Sequence, residues 1–221
     1  MIFRLLADSL LFPNPALAED DGLLAIGGDL SPERLLLAYQ SGIFPWFSEG
    51  EPILWYSPHQ RCVIFPEQIK ISKSMLQLIK KGDLTITENQ AFAEVIYHCA
   101  TSPRNGQDGT WITQEMQDAY IALNARGIAR SIEVWEGNEL VGGLYGVVIG
   151  NVFCGESMFS KVSNASKFAL IYLASKEEFT LIDCQLPNEH LMSMGAVMIS
   201  REKYMRIISI FHQQQFYPFQ P

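Results

Sequence analysis

Residues 131–159 carry the pattern that most restricts the fold. Apolar residues recur there with period two, and turns at Glu136-Gly137-Asn138 and Gly150-Asn151 interrupt the run. That is the signature of an antiparallel meander of three strands. The flanking segments follow other periods. Residues 72–81 read as a basic amphipathic helix, 90–100 as a second, and 113–126 as a third capped by Thr113. Helix returns from Asn164 to Lys176, with Asn164 or Ser166 as its cap. Leu181 to Gln185 reads as a strand, and Asn188 to Met194 as a short helix ended by Gly195. A mixed sheet with helices on its faces, an α+β (mixed α/β) protein, accounts for this order.

The region before the meander is different. Its first 30 residues are rich in Pro, Gly and Asp, with Phe12-Pro13 and Gly27-Gly28-Asp29 as turn signals. A short helix follows, with Ser31 as N-cap, Pro32 at its first position, Glu33 in its first turn and Gly42 as its stop. Phe44-Pro45-Trp46-Phe47 reads as a stiff aromatic loop and Ile53-Leu54-Trp55-Tyr56 as a strand. A boundary near His59 divides a small N-terminal domain, 1–59, from a larger one, 60–221. With 48% hydrophobic and 18% charged residues the chain can bury a sizeable core. It has no apolar run of the roughly 18–20 residues that a membrane span needs. Asp8, Ser9, Pro13 and Pro15 argue against reading the N-terminus as a secretion signal. Four cysteines without paired spacing point to a reducing cytoplasm.

Several constellations can carry chemistry. In a regular strand Asp183 and Gln185 share one face, where a carboxylate beside an amide can hold an amine; a polar strand end in water is the plainer alternative. Glu156 lies among Phe153, Met158 and Phe159, so it is functional, paired, or turned to solvent at the sheet margin. Trp46, Trp55 and Trp111 sit in loop-like or Pro/Gly-bounded contexts, Trp111 after the polar stretch 104–109. Such rings either stack nucleobases or plug a domain interface. Arg61, Lys70, Lys73, Lys80 and Lys81 form a basic stretch in a chain of net charge −8. It is either a solvated face or a strip for phosphates. His and Cys spacing gives no metal site, and no phosphate loop, dinucleotide fingerprint or nucleophile elbow is present; no metal or cofactor is expected.

In their order these pieces resemble the bacterial leucyl/phenylalanyl-tRNA–protein transferase family. The carrying segments include Gly28-Asp29-Leu30-Ser31-Pro32, Gly42-Ile43-Phe44-Pro45-Trp46-Phe47, Trp55-Tyr56-Ser57-Pro58 and Gly109-Thr110-Trp111-Ile112-Thr113. They continue with Glu133-Val134-Trp135, Gly142-Gly143-Leu144-Tyr145-Gly146, Gly155 to Ser160, Asn164-Ala165-Ser166-Lys167 and Ile182-Asp183-Cys184-Gln185. The resemblance runs from about residue 10 to about residue 204.

The resemblance implies a larger domain with the N-acetyltransferase (GNAT-like) fold. It implies transfer of Leu or Phe, less readily Met, from Leu-tRNA or Phe-tRNA to an N-terminal Arg or Lys of an acceptor protein, marking it for N-end rule degradation in the cytoplasm. Carried onto this chain, Asp183 and Gln185 handle the attacking amine and Glu156 supports them. Trp46 and Trp111 hold the 3′-terminal adenosine. Leu144, Met158, Leu170, Ile182 and Cys184 form the cup for the transferred side chain, and Lys73, Lys80 and Lys81 meet the acceptor stem. A monomer is expected. The chain departs from the family pattern at Asn124 and Arg130, where His is common, and at Leu144, where Met is common. Two rivals share these residues: an acyl-CoA N-acetyltransferase, for which Asn124 replaces the usual Gln or Arg of the pyrophosphate loop, and a non-catalytic RNA-binding module.

Overall fold

The computed structural model describes residues 2–102 and 110–215. Gly109 and the polar stretch 104–109 therefore lie outside the described residues. The N-terminal part contains β1 (Phe3–Leu5), β2 (Leu23–Gly27), α1 (Pro32–Gln40), β3 (Phe44–Pro45) and β4 (Leu54–Tyr56). Their sheet runs β1-β2-β4-β3, with β1 and β2 parallel. Ser31 caps α1 through the Arg34 N–H, Pro32 opens it, and Gly42 at φ 69° follows its end. Phe44 and Pro45, expected in a loop, pair with Tyr56 and Trp55 of β4.

Inside this part Arg34 is fully buried. Its Nη2 donates to the carbonyls of Leu6 and Ser9, both at 3.0 Å, and to Asp29 at 3.3 Å. One guanidinium thus fixes the N-terminal segment, which the sequence left without assigned structure. Gly28, at φ 80°, passes so close that a Cβ there would lie 3.1 Å from Arg34 Nε.

The second sheet begins with β5 (Gln60–Ile64), followed by α2 (Lys73–Lys81), β6 (Leu84–Glu88), α3 (Phe92–Thr101) and α4 (Gln114–Ala125). The expected meander is β7 (Ala129–Glu136), β8 (Glu139–Ile149) and β9 (Val152–Ser160). Then come α5 (Ala165–Ala174), β10 (Leu181–Gln185), α6 (Glu189–Ser193), β11 (Val197–Ser200) and α7 (Arg201–Gln215). The strand order is β11-β5-β10-β9-β8-β7-β6, antiparallel except between β9 and β10. The mixed α/β class is therefore what the chain adopts. Neither Asn164 nor Ser166 caps α5 through its side chain; Asn164 has φ 68°, and Ser160 Oγ accepts from the Ser166 N–H.

Each face of this sheet has its own apolar cluster. One runs from Leu35, Tyr39 and Trp55 of the N-terminal part to Tyr120, Tyr145 and Tyr204, so the two sheets share a core on the side of α1, α3, α4 and α7. Trp55 is fully buried within it, its Nε1 donating to the Gly27 carbonyl at 2.8 Å. The other cluster gathers Ile64, Phe153, Leu170 and Ile182 beneath α5.

Candidate active site

The site lies where the parallel pair of the larger sheet, β9 and β10, stops pairing. β9 and β10 pair through Val152–Leu181, Phe153–Ile182 and Cys154–Asp183, and no further. Just beyond, each strand carries a bulge. On β9, Gly155 and Ser157 face consecutive residues of β8, which leaves Glu156 as the extra residue. On β10, Asp183 and Gln185 face consecutive residues of β5, which leaves Cys184 as the extra one, and Gln185 takes φ 61°. Bulges re-aim side chains and end pairing. The simple alternation expected of Asp183 and Gln185 is therefore broken at Cys184.

The diverging strands border a cavity of about 430 Å³. All five residues expected to form a cup, Leu144, Met158, Leu170, Ile182 and Cys184, line it, and so does Glu156. Phe153, Leu173 and Leu191 add apolar wall, while Ser157, Asn188 and His190 add polar groups. Asp183 and Gln185 do not line it; they stand behind its rim.

Glu156 is 9% exposed, which removes the solvent-facing alternative. Its Oε1 accepts from Gln185 Nε2 at 2.6 Å and its Oε2 from the Tyr120 hydroxyl at 3.0 Å. The Tyr120 hydroxyl in turn meets that of Tyr39, from the N-terminal part. Burial pushes the Glu156 carboxyl up to about 7, the Tyr39 and Tyr120 hydroxyls and the Gln185 amide pull it back, and the Asp183 charge adds to the rise. This carboxyl therefore exchanges a proton near neutrality. Because the amide nitrogen of Gln185 faces a carboxylate, its Oε1 is the end left to accept from another group.

Asp183 is fully buried and surrounded by donors. Arg61 Nε reaches Oδ1 at 2.9 Å and Arg61 Nη2 reaches Oδ2 at 2.7 Å. The Tyr204 hydroxyl donates to Oδ2 at 2.8 Å, and the Gln185 backbone N–H to Oδ1 at 2.8 Å. With four donors on two oxygens, Asp183 holds Gln185 in its left-handed conformation. Arg61 also donates to the Gly42 carbonyl at 3.2 Å, and its guanidinium lies 4.7 Å from the Phe44 ring and 4.6 Å from that of Tyr204. Desolvation lowers its pKa most, but the charge and hydrogen bonds of Asp183 together with Tyr204 and Cys154 outweigh that and raise it above the ordinary arginine value. Arg61 is 2% exposed, so it does not belong to the basic strip in which the sequence placed it.

Lys73, Lys80 and Lys81 lie exposed on α2, with Lys81 ion-paired to Asp83. Trp46 is 38% exposed, its ring 6.0 Å from that of Tyr56, and Trp111 is half-buried against the shared core. Neither ring lines the cavity. Sequence reasoning missed Tyr39, Tyr120 and Arg61. The tyrosines sit at helical spacing like ordinary core residues, and only the tertiary structure joins their hydroxyls to Glu156. Among the described residues no group of acidic, His and Cys side chains is suited to a metal ion, and no helix is long and apolar enough to cross a membrane.

Fold and site together define a mixed α/β protein with a cavity of about 430 Å³ beside a carboxyl whose pKa burial raises toward 7. Residues 63–209 match the family model described as leucyl/phenylalanyl-tRNA protein transferase, and residues 28–59 match that of its N-terminal domain. The chain belongs to this family of transferases. The leucyl/phenylalanyl-tRNA–protein transferase of Flavobacterium johnsoniae is 56% identical over 202 residues, covering 90% of this chain and 95% of that protein. The protein of the same name from Pseudomonas fluorescens is 54% identical, covering 92% of each. Among solved structures, a GCN5-related N-acetyltransferase from Kribbella flavida aligns over 73% of this chain and 58% of its own, at 7% identity and a TM-score of 0.38.

Proposed function

We propose that the protein moves Leu or Phe, less readily Met, from aminoacyl-tRNA to the N-terminal Arg or Lys of an acceptor protein, marking the acceptor for N-end rule degradation in the cytoplasm. The observation that carries this reading is the cavity of about 430 Å³, in which Leu144, Met158, Leu170 and Ile182 form one apolar subsite with Glu156 at its edge. An apolar pocket of that kind rejects polar side chains well and separates neighbouring hydrophobes poorly, as a Leu and Phe preference requires.

The reaction is aminolysis of an ester. The acceptor's α-amine attacks the ester carbonyl carbon, a C–N bond forms, the C–O bond to the ribose breaks, and the amine's proton ends on the ribose oxygen. An α-amine with a pKa of ~7.7–8.0 has a usable neutral fraction near pH 7. The site therefore needs to orient the amine and relay one proton. Gln185 Oε1 accepts from the amine and orients its lone pair. Glu156 takes up the released proton, a role suited to a carboxyl near 7. Asp183 works through Gln185 as a positioning residue, because its own oxygens are occupied.

Trp46 and Trp111 hold the terminal adenosine, Lys73, Lys80 and Lys81 meet acceptor-stem phosphates, and Leu144, Met158, Leu170, Ile182 and Cys184 hold the transferred side chain. In this reading 1–59 and 60–221 act as two domains of a monomer. The test supplies tRNA charged with labelled Leu to one peptide beginning with Arg and to the same peptide beginning with Gly. Label on the Arg peptide alone is expected; label on neither, with the charged tRNA intact, refutes the assignment.

A further inference from the structure

Behind the cup lies a second cavity, of about 180 Å³. Its inner wall is apolar, made by Ile132, Phe153, Leu173 and Phe179, and its outer side is charged. Those charges are matched in pairs: Arg130 with Glu178 at 3.1 Å and Lys176 with Glu88 at 2.7 Å. Phe153 and Leu173 line both cavities, so the partition between them is a single layer of side chains, one from β9 and one from α5.

That partition is fixed by packing. Phe153 is 1% and Leu173 1% exposed. The Phe153 backbone is held between Val148 of β8 and Ile182 of β10. Its ring meets Phe179 edge-on, with centroids 5.5 Å apart. On its other side it lies over Gly146, where a Cβ would come within 2.5 Å of the ring. A ring held on both sides in a close-packed interior does not swing aside to admit a longer substrate group.

We propose that Phe153 and Leu173 set the upper length of the side chain this protein transfers, and that the second cavity is an extension of the cup which these two residues close off. This rests on the reading of the first cavity as the aminoacyl cup. The side chains excluded are those that run past a single ring, biaryls above all. Their far ring would meet the apolar inner wall of the second cavity, and the rim charges, already paired with one another, would demand no counter-charge from it.

The test compares tRNA acylated with 4-phenylphenylalanine and tRNA acylated with leucine, in the full-length protein and in Phe153→Ala, Leu173→Ala and Val141→Ala. Val141 is buried in the same apolar cluster but lines neither cavity, so Val141→Ala serves as the packing control. The ratio of biaryl to leucyl transfer is expected to rise roughly tenfold or more in Phe153→Ala and Leu173→Ala, a discrimination of the size one apolar group gives, and to stay near the wild-type value in Val141→Ala. Two variants on different elements guard against one failing to fold. An unchanged ratio in a folded, leucine-transferring variant overturns the proposal, and so does an equal rise in Val141→Ala. Calorimetric binding of 4-phenylphenylalanine methyl ester, expected to tighten in the two wall variants alone, reads the partition without any transfer. A wild type that never transfers leucine therefore counts against the aminoacyl reading, while the calorimetry still decides the partition.

Discussion

Replacing Glu156 by Gln is expected to change how stability depends on pH more than it changes stability at any one pH. In the folded protein the carboxyl is pushed from its ordinary 4.5 to about 7. The folded state therefore holds a proton there through a range in which the unfolded chain has lost it. A raised carboxyl of this kind contributes its full stabilisation below about 4.5, and the contribution is lost as pH rises through 7. A shift of that size is worth ~3 kcal/mol. Glutamine cannot titrate, so Glu156→Gln lacks this loss. The substitution also disturbs the bonds from Tyr120 and Gln185, at about 1 kcal/mol each, but that cost is the same at every pH. His98 and His190, both lowered by burial, act in the opposite sense, gaining stability as pH rises toward 6.5. They are present in both proteins and cancel in the difference. Urea unfolding followed by tryptophan fluorescence at pH 4.5, 5.5, 6.5, 7.5 and 8.5 measures that difference. Wild type is expected to lose ~3 kcal/mol relative to Glu156→Gln across the series, falling between about 4.5 and 7 and level above that. Parallel curves would mean that the carboxyl titrates in its ordinary range, and the proton-relay argument would fall with it.

Three further outcomes follow from the same geometry. Asp183→Asn leaves the fully buried Arg61 without its counter-charge and is expected to cost about 3–5 kcal/mol in urea unfolding at pH 7; a loss under 1 kcal/mol would show that Asp183 does not anchor this corner. Trp46→Ala removes an exposed ring, so Tm should hold while affinity for aminoacyl-tRNA falls by roughly 1–3 kcal/mol in a filter-binding titration; equal affinity would remove Trp46 from the adenosine site. Lys73→Ala and Lys80→Ala should each reduce the slope of log K against log salt by about 0.7–0.9, and Lys81→Ala by less because Asp83 already holds its ammonium; identical slopes would detach α2 from the tRNA.

The parts of this structure legible in the sequence are those decided by local rules. The meander announced itself through alternation and its two turns, and α1 through Ser31, Pro32 and Gly42. The cup residues came from the family resemblance, and the structure gathers them around one cavity. The parts that were not legible depend on partners far away in the chain. Arg61 looks like one more cation beside Lys70 and Lys73 until the fold sets it against Asp183. Tyr39 and Tyr120 look like core residues of two helices until their hydroxyls converge on Glu156. The bulges at Glu156 and Cys184 leave no local mark, because an inserted residue is defined only by the neighbouring strand it fails to pair with. Asn164 illustrates the converse: a good capping residue by type, it takes a left-handed conformation and leaves the hydrogen bond to Ser160.

The position of β5 bears on how the molecule comes into being. This strand is made at residues 60–64, yet its ladder partners are β10 at 181–185 and β11 at 197–200. During synthesis it emerges with both edges unmatched and stays so while the meander, which closes on neighbouring residues, is completed. Long-range pairing of this kind slows folding and exposes strand edges to other chains. Arg61, on that early strand, waits the same interval for Asp183, and the Tyr204 hydroxyl arrives later still. A ribosome-bound chain that has not yet released α7 therefore lacks part of the corner that holds Gln185. The ring of donors around Asp183 closes only once Tyr204 has left the exit tunnel.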